Sequence, residues 1–204
     1  YEKYNNFAQE SRYDSVFRLM DTIEGVYSTF DHYRDGFEVA VLYNNRAAAY
    51  LSLFMQPGNE ILIGDTAVFL SKAENAVRKS LRMYREWLEA YGGLDEAEIR
   101  ENIAGDFLAG LDQYSKAEQE QFLDKRVEEI IEAQTENRRR LSVSYTNLGI
   151  IKRHQQKYDS AAACYLEAID LWERNLTAEN NLNILLNRPL RKQGILQKLF
   201  PPEK

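Results

Sequence analysis

An all-α chain built from packed antiparallel helix pairs is what this sequence predicts, and three observations predict it. Glycine and proline are scarce, 10 and 4 among 204 residues, as long helices require, because each weakens a helix interior. Apolar residues recur at three- and four-residue spacing, as in Ile99, Ile103, Phe107 and Leu108, which places them on one helix face. Between residues 145 and 168, small and aromatic residues alternate as two close antiparallel helices need: Gly149 and Ala161 let the backbones approach, while Tyr145, Leu148 and Tyr165 fill the gap. A 44% hydrophobic content is enough to bury a sizeable core as one domain spanning 1–204.

Residues 1–33 form a degenerate first unit. Its opening helix covers 1–10 with Tyr4 and Phe7 inward, and Arg12-Tyr13-Asp14-Ser15 makes the corner. An aromatic packs at that turn and Asp or Ser caps the helix that follows. The same corner returns as Lys157-Tyr158-Asp159-Ser160. The second unit, 37–92, has extended helices: FEVAVLYNNRAAAYLSLF presents Tyr43, Arg46, Ala47 and Tyr50, and its partner carries Ala73, Val77 and Ser80 at close-packing spacing. Between them an irregular connection holds a Pro57-Gly58 turn and Asp65 as a helix N-cap.

Irregular helices follow over 94–141. Gly92-Gly93 stops the preceding helix, and Asp95-x-x-Glu98 reads as a capping box opening a helix through Leu111. Ser115-x-x-Glu118 opens the next, and no Gly or Pro then interrupts the chain until Gly149. One long helix and two helices with a bend both satisfy that pattern. Residues 142–175 are the clearest pair, and 178–200 supply capping helices whose Leu190, Ile195, Leu196, Leu199 and Phe200 cover the last unit.

The motif Tyr145-x-x-Leu148-Gly149, then Ala161-x-x-x-Tyr165-x-x-Ala168, resembles the tetratricopeptide repeat. Lys152 stands where that pattern has an aromatic, and Glu173 stands near its final proline. Tyr43, Arg46, Ala47 and Tyr50 are similar to the variant in which Asn-Arg-Ala replaces Leu-Gly. The partner helix there comes about 14 residues later than an uninterrupted repeat of roughly 34 would place it. The resemblance implies a tetratricopeptide-like α-solenoid with an irregular central insert and a C-terminal capping helix. It also implies a protein-interaction or assembly module, whose first helices line a concave groove for a peptide or partner protein.

Projected onto this chain, the groove-facing positions are Asn5, then Val41, Asn44, Asn45 and Leu51, then Val143, Thr146, Asn147, Ile150 and Arg153. Asparagine suits such a groove because it both donates to and accepts from a peptide backbone. Some co-chaperone members grip a C-terminal carboxylate with two Asn and several cations. Asn5 and Asn45 match the two Asn, but the basic positions hold Tyr1, Val143 and Asn147, which argues against that clamp. The alternative is a small-molecule or lipid-binding helical receptor subunit of a transport system. It requires a closed apolar cavity among Tyr43, Tyr50, Phe54, Phe69 and Phe107.

Chemistry elsewhere is sparse, and the chain reads as a non-enzyme without a cofactor. His32 and His154 suggest no metal site, the glycines form no phosphate loop, and the carboxylates have abundant basic neighbours. The lone Cys164 lies in a close-packed helix and reads as a small core residue. A net charge of −6 argues against nucleic acid. Arg138, Arg139 and Arg140 follow Glu128, Glu129, Glu132 and Glu136 and read as a solvated, salt-bridged helix face. No run approaches the roughly 20 apolar residues of a membrane span. The chain starts at Tyr1 without a methionine or a signal-peptide pattern, so a cytoplasmic and a periplasmic location, with an upstream signal or anchor removed, both stay open.

Overall fold

Helices make up most of the described residues, where apolar stripes recur at helical spacing. A computed structural model describes residues 2–55 and 66–192. The helices are α1 (Glu2–Gln9), α2 (Tyr13–Ser28), α3 (Asp31–Arg34), α4 (Phe37–Met55), α5 (Thr66–Tyr91), α6 (Glu96–Ala109), α7 (Lys116–His154), α8 (Tyr158–Leu171) and α9 (Leu176–Leu185). No strand occurs among the described residues. The Pro57-Gly58 turn, the Asp65 cap, and Ile195, Leu196, Leu199 and Phe200 of the expected capping helix lie outside them.

Both expected capping boxes form. Asp95 accepts from the Glu98 amide at 3.0 Å while Glu98 accepts from the Asp95 amide at 2.9 Å, and Ser115 and Glu118 make the same reciprocal pair. Helix α6 stops at Ala109, with Gly110 as its C-cap, so Leu111 falls beyond it. Helix α7 is continuous over 39 residues, a rod of about 58 Å at 1.5 Å per residue. That settles the choice the sequence left open: its first half buries Leu123, Val127 and Ile130 against α6, and its second half buries Tyr145, Leu148 and Ile151 in the main core.

Helix directions follow from which residues meet. Asn44 meets Ser144 and Asn147, Phe37 meets Arg140 and Phe54 meets His154, a near-constant offset that makes α4 and α7 parallel. Thr146 with Asn175 and Arg153 with Asn181 make α9 parallel to α7 as well. Other neighbours are antiparallel: Tyr50 with Phe69 and Tyr43 with Lys79 join α4 to α5, and Gly149 with Tyr165 and Ser142 with Ala168 join α7 to α8. Phe17 with Tyr50 and Glu24 with Arg46 join α2 to α4 in the same sense.

The corners repeat too. Ser11, Gln156 and Asn187 adopt left-handed φ angles of 57°, 61° and 51°. The next amide in each case reaches back five residues, Arg12 to Phe7, Lys157 to Lys152 and Arg188 to Asn183, at 2.8, 2.9 and 2.8 Å. These are Schellman turns closing α1, α7 and α9. The sequence expectation of an Asp or Ser side-chain cap needs correction at this point. Arg12 and Lys157 are the N-caps and neither makes a side-chain cap bond, while Asp14 and Asp159 sit in the first turn, where the helix dipole favours an anion.

Candidate functional site

The ten groove positions projected from the sequence do not share one environment. Asn5 is exposed, Val143 is 36% exposed, and Val41 and Asn45 are half-buried. Leu51 and Thr146 are each only 3% exposed, which corrects the expectation that they face a ligand. Leu51 belongs to the main core, and Thr146 is covered by Asn175, whose Nδ2 donates to its hydroxyl at 2.9 Å. Asn44 accepts from Ser144 and from Asn147 at 3.0 and 2.9 Å, so these two asparagines tie α4 to α7. Arg153 donates to Asn181 on α9 at 3.1 Å, and half-buried Ile150 packs on the main core.

What stays open is a groove of about 580 Å³ between α1, α2 and α4, lined by both Val41 and Asn45. Leu19, Met20, Ile23, Tyr27 and Leu42 supply apolar surface, and Glu2, Lys3, Glu38 and Arg140 bring opposite charges in equal number. Such a surface favours a segment with apolar side chains and a polar backbone over a strongly charged one. Arg140 comes from α7, where Asn137 Oδ1 accepts from it at 3.1 Å and its guanidinium lies 5.4 Å from the Phe37 ring centre. It therefore leaves the solvated face to which the sequence assigned it, whereas Arg139 keeps the expected exposed ion pair with Glu136 at 3.2 Å. No sequence signal distinguished Arg140 from its two neighbours, because only the packing of α7 across α4 separates them.

Of the aromatics expected to wall a receptor cavity, only Tyr50 and Phe69 stack on each other. Tyr50 stacks between Phe17 and Phe69, with ring centres 4.5 and 6.2 Å away, and Phe54 meets His154 edge-on at 4.9 Å. Phe107 belongs to the separate core around α6.

A second concavity lies between α3, α6 and α7, and no sequence motif announced it. Two clefts of about 590 and 630 Å³ share Asp31, His32, Asp106, Ala109 and Arg126. Arg126, 2% exposed, donates from Nη1 to Glu38 at 2.5 Å and to Glu129 at 3.1 Å, and from Nε to His32 Nε2 at 2.9 Å. Tyr33 lies beneath the guanidinium, 4.3 Å away at its ring centre. Burial works against the Arg126 charge, but the two carboxylates outweigh burial and hold it protonated. Burial, reinforced by Arg126, pulls His32 down to about 4, so the imidazole is neutral near pH 7 and its Nε2 accepts a hydrogen bond from Arg126 Nε. Burial raises Tyr33 and Tyr91, keeping both phenols protonated.

Among the described residues no group of His, Cys, Asp and Glu could hold a metal ion, and no helix is long and apolar enough to cross a membrane. Compared with protein-family models, curated proteins and solved structures, the chain matches none.

Proposed function

We propose that this chain is a protein-interaction module of the tetratricopeptide type, and that a short apolar segment of a partner docks in the groove between α1, α2 and α4. The observation that carries the reading is the parallel set of α4, α7 and α9, each backed by an antiparallel neighbour, beside which an open groove retains Val41 and Asn45. Parallel first helices with antiparallel partners are the arrangement that repeat solenoids use to build a concave binding face. In the groove, Val41, Ile23 and Met20 gain by losing water, at roughly 25 cal/mol per Å² of apolar surface. Asn45 and Arg140 offer donors, and Asn45 an acceptor, to the incoming backbone. On this reading the module holds its partner and performs no chemistry on it.

Selection from a displayed random-peptide library, followed by titration of the recovered peptides, tests the proposal. Peptides carrying two or three apolar residues should emerge, and Val41→Asp with Asn45→Ala should weaken them at least tenfold, about 1.4 kcal/mol, with unchanged helical circular dichroism. Recovered peptides that bind this double variant as tightly as the unaltered protein would contradict it.

A further inference from the structure

Arg140 lines the groove between α1, α2 and α4 as a half-buried cation, and no carboxylate among the described residues pairs with it. Its neighbours are neutral: Asn137 Oδ1 accepts from Nη1 at 3.1 Å, and the Phe37 ring centre lies 5.4 Å from the guanidinium. Carboxylates nearby are committed elsewhere. Glu136, one turn back on α7, pairs with Arg139 at 3.2 Å. Glu38 gives Oε1 to Arg126 at 2.5 Å, and its Oε2 is sealed from solvent beside Gly36, which lines the Arg126 cleft. Glu2 and Lys3, adjacent and exposed on α1, offset each other. Equal numbers of opposite charges around the groove therefore still leave Arg140 unanswered.

Beside Arg140 the wall is apolar. Val41 lies one turn along α4 from Phe37, about 6 Å, and Ile23 and Tyr27 of α2 line the same groove. A segment that fills the space over Val41 and Ile23 also covers Arg140 and takes water from it. Desolvating an unpaired cation opposes binding, whereas a carboxylate on the same segment replaces that loss with a charge-assisted bond. A lysine or arginine there would add repulsion instead.

Given the docking groove proposed above, on which this assignment rests, we propose that its partner is a protein segment carrying an aspartate or glutamate beside its apolar anchors, and that this side chain pairs with Arg140. The distance of one turn sets the spacing: an extended segment covers it in about two residues and a helical one in about four. A side chain is assigned rather than a chain terminus, because the positions that would clamp a terminal carboxylate hold Val143 and Asn147.

Parallel selections from a displayed random-peptide library on the unaltered protein and on Arg140→Glu, followed by titration of the recovered peptides as C-terminal amides, test this assignment. Peptides from the unaltered protein should be enriched in Asp or Glu beside their apolar residues, and those from Arg140→Glu in Lys or Arg at the same place. Changing that Asp or Glu to Asn or Gln should weaken binding at least fivefold to the unaltered protein and less than twofold to Arg140→Gln, with unchanged circular dichroism. The first of these comparisons uses only the unaltered protein, so it decides the matter even where a variant misfolds. Peptides that depend on Val41 and Asn45 yet show no acidic preference would overturn this assignment and leave the groove reading standing. Peptides insensitive to Val41→Asp with Asn45→Ala, or no peptides at all, would remove the groove reading and this assignment with it.

Discussion

Gly149 shows how one residue sets the distance between two helices. A Cβ built there would overlap the ring of Tyr165, which is fully buried at the centre of the α7–α8 contact. Gly149→Ala should therefore cost about 1–3 kcal/mol, the range for overpacking a core. Adding Tyr165→Leu should make the alanine nearly harmless, because the clash is with the ring. Equal penalties for the alanine in both backgrounds, measured by urea unfolding, would place the close approach elsewhere. This contact was legible because only glycine allows such proximity. Lys152 was legible only as a departure from the repeat pattern and Arg46 only as part of its Asn-Arg-Ala variant, since each is paired by a neighbouring helix: Lys152 with Glu74 at 2.6 Å, Arg46 with Asp21 and Glu24 at 2.9 Å each.

The same ionisable residues give stability a pH dependence with a definite sign. His32 is pulled from 6.5 to about 4 by burial and by Arg126, so between those values the unfolded chain binds the extra proton and stability falls as pH falls. His154, lowered by burial and Arg153, acts in the same direction. Burial pushes Glu74 upward, but hydrogen bonds from Lys152, Gln155 and Arg78 outweigh burial and hold it at about 2. Its contribution is present above 4.5 and is lost as pH falls from there towards 2. Urea midpoints taken across pH should decline over both ranges. His32→Gln, which keeps an acceptor for Arg126, should flatten the upper range and spare the lower one; an unchanged slope in the upper range would contradict this account.

At the scale of elements, the recurrent corner is the informative unit. Ser11, Gln156 and Asn187 pay for left-handed backbone that glycine adopts freely. Gln156→Gly should stabilise the chain by about 1 kcal/mol, and Gln156→Val should destabilise it by a similar amount. Thermal melts that rank the valine variant at or above the glycine variant would show that the corner does not strain the chain. The Tyr-Asp-Ser likeness between 13–15 and 158–160 located two of these corners, those at Ser11 and Gln156. It misassigned their physics, because a Schellman turn is made of backbone bonds that leave little side-chain signature. Continuity of α7 was likewise undecidable from pattern alone, since its buried face changes partner from α6 to α8 along the rod.

Across the whole molecule, the all-helical class was legible because periodicity and caps report on local geometry. The open surface was not, because it depends on what neighbouring helices cover. Leu51 and Thr146 are covered, Asn44 and Asn147 satisfy each other, and Arg140 is carried into the groove by α7. The Arg126 cleft joins residues nearly a hundred positions apart, His32 and Glu38 with Arg126, which no local motif encodes. The proposed partner segment would lie along α1, α2 and α4. The most direct measurement is a backbone amide chemical-shift map of the labelled protein titrated with a library-selected peptide. The account predicts shifts concentrated at Ile23, Val41, Asn45 and Arg140 with little change near Tyr158 and Leu166 on α8, whose side chains are 56% and 57% exposed; shifts concentrated on α8 with an undisturbed groove would contradict it.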